Sequence, residues 1–337
     1  MNNNIKFFDS TLRDGSHAVS HQITVDQIRE YCEKIDDSGV YTVIVGHGNG
    51  LGASSHQVGF AAVKDAEMLA VARNALKKTR LGVFLIPGFA TIKDDLQPAI
   101  NIGVDVFCVG SHCTEADTTQ QYIRYLRDNN KEVYGVLMMY HMTTKERLAE
   151  EALKMRSYGA QGIIIMDSAG SSTPPLVIET INYLVKNLDI PIGFHAHNNF
   201  GMAVANSLIA LQNGATIIDG TVRGFGASSG NCQLEALATL LKKMNIESGL
   251  NLYKLMDVSE QLVTKIMKIP QEIDMIGLIG GLTGVFSLYA LPIKRAAEKY
   301  KVDVRDIYTE LGKRNIVGGQ EDMVIEVALQ LSKLKNS

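Results

Sequence analysis

The sequence predicts an α/β fold, a closed (β/α)8 or TIM barrel followed by a small all-helical domain, and three observations carry that reading. Short apolar, β-branched runs alternate eight times with helical patterns inside residues 1–245. These runs are nearly continuously apolar, as parallel strands covered on both faces must be. Polar and glycine-rich residues gather directly after the runs, at the barrel end where active sites of this architecture stand.

In order, the predicted strands are Lys6–Asp9, Thr42–Gly46, Leu81–Ile86, Val104–Gly110, Glu132–Met138, Gly162–Met166, Pro191–His195 and Ile217–Thr221. Helical periodicity fills the intervals at Val25–Asp37, Lys64–Lys77, Ile92–Ile102, Asp117–Asn129, Thr144–Tyr158, Pro174–Asn187, Met202–Gln212 and Gln233–Met244. Gly39, Gly103, Gly159 and Gly214 sit at helix-to-strand turns, where glycine supplies the left-handed cap. Eight units of this length favour a closed barrel over an open sheet. Past residue 245 the strand signal stops. Leu252–Lys268 reads as a helix, Gly277–Gly284 as a loop, and Val285–Tyr300, Val304–Leu311 and Glu321–Leu334 as further helices. The expected division is therefore a catalytic barrel, 1–245, and a helical domain, 246–337, supplying partner or dimer contacts and an active-site lid.

A hydrophobic share of 46% and a charged share of 20% are those of a soluble chain with a sizeable core. The net charge of −3 gives no electrostatic case for nucleic acid or an anionic membrane. No apolar run reaches the roughly 18 residues of a membrane span. The first residues lack the basic-then-apolar layout of a secretion signal, so the expected location is the cytoplasm. Cys32, Cys108, Cys113 and Cys232 are scattered without zinc-type spacing and read as buried free thiols. Cys232 draws notice because it follows Asn231 in a glycine-rich loop.

The chemistry concentrates at His195-Ala196-His197, closing the seventh run. Residues two apart on a strand share a face, so both imidazoles can converge on one point. Such a pair alone also fits two satisfied histidines without a ligand role. A carboxylate completes a metal-binding set, and the loop after the first strand offers Asp14, with Arg13 and His17 beside it. The mixed nitrogen and oxygen donors suit Mn²⁺, Mg²⁺, Co²⁺ or Fe²⁺ better than a closed structural zinc. The bland readings are an Arg13–Asp14 structural ion pair and a His17 that merely packs in its loop. His21 is expected to be solvated or to support its neighbours, His47 and His112 to orient loops, and the methionines to fill the core.

Asp9-x-Thr11-Leu12-Arg13-Asp14-Gly15, His195-x-His197 and Gly226-x-x-x-Gly230-Asn231 resemble the signatures of the metal-dependent pyruvate and hydroxymethylglutaryl-CoA lyase barrels. Five segments are similar to the 4-hydroxy-2-oxovalerate aldolase family within that group: Thr11–Ala18, His47–Ser55, His112–Asp117, Leu137–Met142 and Val204–Ser207. The resemblance covers nearly the whole chain, the helical tail included. It implies a class II aldolase, a carbon–carbon lyase of aromatic-hydrocarbon catabolism, that cleaves a 4-hydroxy-2-oxo acid to pyruvate and an aldehyde. A divalent metal, Mn²⁺ foremost, would be held by Asp14, His195 and His197, with Asn231 a fourth ligand or a neighbour of the ligands. Arg13 would steady the pyruvate enolate, His17 would take the 4-hydroxyl proton, and Ser168 would meet the substrate carboxylate.

One departure is visible. Where these aldolases carry a tail tyrosine, this chain has Phe286, which has no donor. Tyr289 lies three residues on and would face the same side if the segment is helical. The resemblance also implies an acylating aldehyde dehydrogenase as partner, bound through the tail, and an aldolase dimer within a larger assembly. Two other readings compete: an acyl-CoA-dependent synthase condensing a 2-oxo acid, which generally carries a longer C-terminal region, and a non-catalytic partner of a dehydrogenase.

Overall fold

The computed structural model describes residues 5–335. Eight strands, β1 (Lys6–Asp9), β2 (Thr42–Ile44), β3 (Arg80–Leu85), β4 (Val106–His112), β5 (Glu132–Met138), β6 (Ile163–Asp167), β7 (Ile192–Ala196) and β8 (Ile217–Gly220), close into one barrel in sequence order. Every ladder is parallel, and the ring closes where β1 meets β8, with Phe8 opposite Asp219.

The crossover helices are α1 (Val25–Ile35), α2 (Asp65–Ala75), α3 (Gln97–Ile102), α4 (Gln120–Asp128), α5 (Lys145–Tyr158), α6 (Pro174–Asn187), α7 (Ala203–Gln212) and α8 (Leu234–Lys243). Their sequences explain their limits. Thr24 and Gln27 form a capping box ahead of α1, whose Ile28, Tyr31, Cys32 and Ile35 make a buried stripe. Proline opens α6, where its missing N–H costs nothing, and α5 stops at Gly159, φ +117°.

Two apolar layers result. Between strands and helices lies the main core, which also takes in Leu255, Val258, Leu262, Val263 and Ile266 of the segment following α8. Inside the barrel, Phe8, Ile44, Phe84, Val106, Tyr134, Val136, Ile164 and Ile217 fill the interior. At the opposite end from the site, Lys6 donates to the Tyr41 hydroxyl at 2.9 Å and the Tyr134 hydroxyl at 2.6 Å, and pairs with Glu132 at 3.1 Å. That arrangement satisfies a cation beneath an apolar interior.

The tail contains α9 (Leu252–Val258), α10 (Met275–Thr283), α11 (Ala290–Tyr300), α12 (Val304–Lys313) and α13 (Glu321–Lys335). A second core, including Ile276, Tyr289, Ile293, Ile307, Tyr308 and Val324, gathers the last four of these. The structure corrects the loop expected at Gly277–Gly284. Asp274 caps α10 by accepting from Gly277 N at 2.8 Å, and Gly284 ends it at φ +68°. Its glycines serve close approach. A Cβ on Gly277 would lie 2.2 Å from the Ser229 hydroxyl, and one on Gly281 would lie 2.9 Å from the Phe200 ring. Packing against the barrel mouth overrides the low helix propensity of glycine.

Candidate metal centre and its cavity

The site grows from the C-terminal ends of β1, β7 and β8. His195 lies on β7, and His197 follows immediately, in an isolated bridge with Asn231 from the loop after β8. The imidazole centroids are 5.2 Å apart. Asp14 enters from the turn after β1. One ligand atom from each of Asp14, His195 and His197 lies within 4.8 Å of the others, and all three residues are buried.

Two of the three candidate ligands, Asp14 and His195, are held from behind. Asp14 Oδ1 accepts from Ala227 N at 2.9 Å and Oδ2 from Arg13 Nη1 at 2.6 Å. The His195 Nδ1–H donates to Asp219 Oδ2 at 2.8 Å, which leaves the Nε2 lone pair 3.9 Å from Asp14 Oδ2. Asn231 Nδ2 donates to that Nε2 at 2.9 Å. His197 Nδ1 and Asn231 Oδ1 are buried with no protein partner. An unpaired buried polar atom costs about 1–3 kcal/mol. Two such atoms beside a carboxylate and a second imidazole fit a divalent cation with mixed nitrogen and oxygen ligands.

Electrostatics agree with that fit. Burial alone would raise Asp14, but Arg13, His197, His195 and His17 outweigh it and hold the carboxyl well below its usual range. Burial pushes His197 down to about 3 and His17 down to about 4, against the pull of Asp14. Ligation needs an ionised carboxylate and neutral imidazoles, and these shifts favour both.

The centre opens on a small, narrow cavity. Arg13, His17 and Asn49 give it polar points, while Phe84, Ile86, Met138, Met166, Phe286 and Leu288 make its walls mostly apolar. The Arg13 guanidinium lies 4.8 Å over the Phe84 ring, with Nη1 reaching the Gly48 carbonyl at 3.4 Å. Arg13 Nε is buried without a partner. His17 hydrogen-bonds to the Gly48 backbone, and a Cβ on Gly48 would lie 2.4 Å from His17 Nε2. The His21 ring stands edge-on to His17 at 5.1 Å and stacks on His47 at 3.6 Å. His21 is 8% exposed, so it is a buried support rather than a solvated side chain.

Asp14, His195, His197, Asn231, Arg13 and His17 therefore come together. Ser168 and Tyr289 are placed differently. The Ser168 hydroxyl accepts from Met139 N at 3.2 Å behind the cavity wall and does not line the cavity. The Tyr289 hydroxyl donates to Val317 O at 2.6 Å and accepts from Gln320 N at 3.1 Å, inside the tail's own core. Phe286, φ −53° and ψ 130°, caps the short 3-10 turn Ser287–Tyr289 from outside it, and Tyr289 does not line the cavity. Cys232 is buried and its thiol is pushed up to about 12, which makes it inert.

Sequence reasoning missed Asp219, Gly48 and Phe84. A carboxylate interrupting the apolar run Ile217-Ile218-Asp219-Gly220 was the available signal for the first. Nothing in a single sequence distinguishes Gly48 from its neighbouring glycines.

The HMGL-like family matches residues 4–262, and the DmpG-like communication domain matches residues 271–333. The 4-hydroxy-2-oxovalerate aldolase of Pectobacterium atrosepticum is 50% identical over 325 residues, covering 96% of this chain and 95% of that protein. The 4-hydroxy-2-oxovalerate aldolase of Spirochaeta aurantia is 48% identical over 328 residues, covering 97% and 96%. The chain belongs to the 4-hydroxy-2-oxovalerate aldolase family. Among solved structures, the carboxyl transferase domain of Rhizobium etli pyruvate carboxylase superposes with a TM-score of 0.83 at 15% identity, over 98% of this chain and 61% of that one, a likeness of fold. In this member of the aldolase family the segment matched as communication domain supplies Phe286 and Leu288 to the cavity wall. No helix among the described residues is long and apolar enough to cross a membrane.

Proposed function

We propose that the protein is a divalent-cation-dependent aldolase that cleaves 4-hydroxy-2-oxovalerate, or a close 4-hydroxy-2-oxo acid, to pyruvate and a short aldehyde. The observation that carries this reading is the buried Asp14–His195–His197 group opening on a small, mostly apolar cavity beside Arg13 and His17. A divalent cation would be held by Asp14, His195 and His197, with Asn231 as a fourth ligand, and would supply Lewis-acid polarisation of the 2-oxo group. Mn²⁺ is the metal we assign, ahead of Mg²⁺ and Co²⁺.

The chain's own residues do the rest. Arg13, buried and braced by Asp14, the Gly48 carbonyl and the Phe84 ring, holds its unpartnered Nε as a fixed donor for charge developing on the substrate oxygens. His17, kept neutral by burial, takes the proton from the 4-hydroxyl as the C3–C4 bond breaks. Phe84, Ile86, Met138, Phe286 and Leu288 exclude water and receive the alkyl part of the aldehyde. The tail would dock an acylating aldehyde dehydrogenase, and a dimer of this chain would form the centre of that cytoplasmic assembly; the communication-domain match supports the docking.

The test is pyruvate release from 4-hydroxy-2-oxovalerate, followed with lactate dehydrogenase, in Mn²⁺-loaded and chelator-treated protein. Turnover that the chelator abolishes is expected. Thiol release from acetyl-CoA with a 2-oxo acid, without aldol cleavage, would move the protein to the condensing synthases.

A further inference from the structure

We propose that Asp219, at the C-terminal end of β8, is the positioning residue that fixes His195 as a metal ligand; the inference rests on the cation reading above. The backbone brings the pair together, because His195 of β7 and Asp219 of β8 are register partners in the parallel ladder. Asp219 is 3% exposed. Its Oδ2 accepts from His195 Nδ1 at 2.8 Å, and its Oδ1 accepts from the Ser10 hydroxyl at 2.7 Å.

Two partners independently select the same imidazole tautomer. A carboxylate at Nδ1 demands a proton there, and an amide N–H donating to Nε2 at 2.9 Å demands a lone pair there. That lone pair is on the side of Asp14, whose Oδ2 is 3.9 Å away. An imidazole protonated at Nε2 would turn an N–H toward the cation and could not ligate through that atom. Partners of this kind fix ring orientation and ligand basicity.

Asp219 could instead serve Arg13, and the distances decide between the two roles. Arg13 Nη2 is 3.9 Å from Asp219, whereas Arg13 Nη1 is 2.6 Å from Asp14. The short contacts of Asp219 go to His195 and to Ser10, which stands at the start of the loop that carries Asp14. One carboxylate therefore ties the β7 histidine to the β1 loop that supplies Asp14.

The experiment is Mn²⁺ titration calorimetry on the full chain as wild type, Asp219→Ala and Asp219→Asn, together with ¹⁵N spectra of the wild-type histidines, His195 being assigned by substitution. Expected results are Mn²⁺ binding weakened about 10- to 100-fold by alanine, and substantial recovery with asparagine, whose oxygen can still accept from Nδ1. The wild-type spectrum should show His195 protonated at Nδ1 and bare at Nε2. Wild-type affinity in a folded alanine variant, or an asparagine variant no tighter than alanine, overturns the inference and leaves the aldolase reading intact. If the alanine variant does not fold, the spectrum decides alone, and a proton on Nε2 overturns the inference. A wild-type protein that takes up no ion overturns both.

Discussion

The Ser287 hydroxyl donates to the Ser168 carbonyl at 3.0 Å, tying the helical tail to the loop after β6. Two further ties reinforce it: His141 Nε2 to the Gly284 carbonyl at 3.2 Å, and Asn199 Nδ2 to the Gly277 carbonyl at 3.1 Å. Phe286 and Leu288, which flank Ser287, are cavity walls held in place by these bonds. Replacing Ser287 with alanine removes one donor and should cost about 1 kcal/mol of stability. We expect a modest fall in Tm and a rise in KM larger than the fall in kcat, with Mn²⁺ affinity unchanged. Thermal melts and steady-state kinetics on the two proteins check this, and an unaltered KM would mean the wall does not depend on the tie.

Phe286 faces the cavity without a hydrogen-bond donor. Restoring a hydroxyl with Phe286→Tyr places a donor beside the aldehyde part of the substrate. One neutral hydrogen bond is worth about 1 kcal/mol, so kcat/KM for 4-hydroxy-2-oxovalerate should rise about fivefold. No change would show that the phenyl ring already serves this substrate as well as a tyrosine would.

Gly48 packs directly against the proposed base. Because its Cβ would stand 2.4 Å from His17 Nε2, Gly48→Ala must displace the imidazole or the loop that bears it. General-base catalysis is worth about 10²- to 10⁴-fold, and a misplaced base forfeits much of that. The expected outcome is a kcat at least about 100-fold lower at unchanged Mn²⁺ affinity, since Asp14, His195 and His197 are untouched. Full turnover in this variant would remove His17 from the base's role.

The barrel was legible because its strands are apolar on both faces, so Val43, Val83, Phe107 and Ile165 stand in runs that polar loops interrupt cleanly. The Asp–His–His cluster proposed to hold a cation was legible for a related reason. His195 and His197 end an apolar run two residues apart, and the carboxylate after the first strand gave the pair its meaning. Asp219 was hidden by lying inside the run read as a strand, where only its charge marked it. The helix α10 was hidden because Gly277, Gly280 and Gly281 lower its intrinsic propensity, and the barrel mouth that makes small residues favourable there is far away in sequence. Tyr289 misled because spacing of three implies a shared face only on a helix, and the chain is extended at Phe286.

His17 is also a pH-sensitive element of the fold itself. Burial lowers its imidazole to about 4, against an ordinary value near 6.5 in the unfolded chain. Above about pH 6.5 neither state takes up the proton, and the contribution to stability is fully present. As pH falls from 6.5 toward 4, the unfolded chain binds the proton and the folded one does not, so stability is lost over that window. For this one group the loss reaches about 2 kcal/mol at pH 5. Buried carboxyls with raised values, such as Asp9 at about 6, push in the opposite sense, so the total slope does not isolate the histidine. A comparison does. Urea unfolding of chelator-treated wild type and His17→Gln, each at pH 8 and pH 5, should show the variant losing about 2 kcal/mol less stability between the two conditions. Equal losses in the two proteins would mean that His17 is charged as readily in the fold as outside it, and that burial does not depress its imidazole.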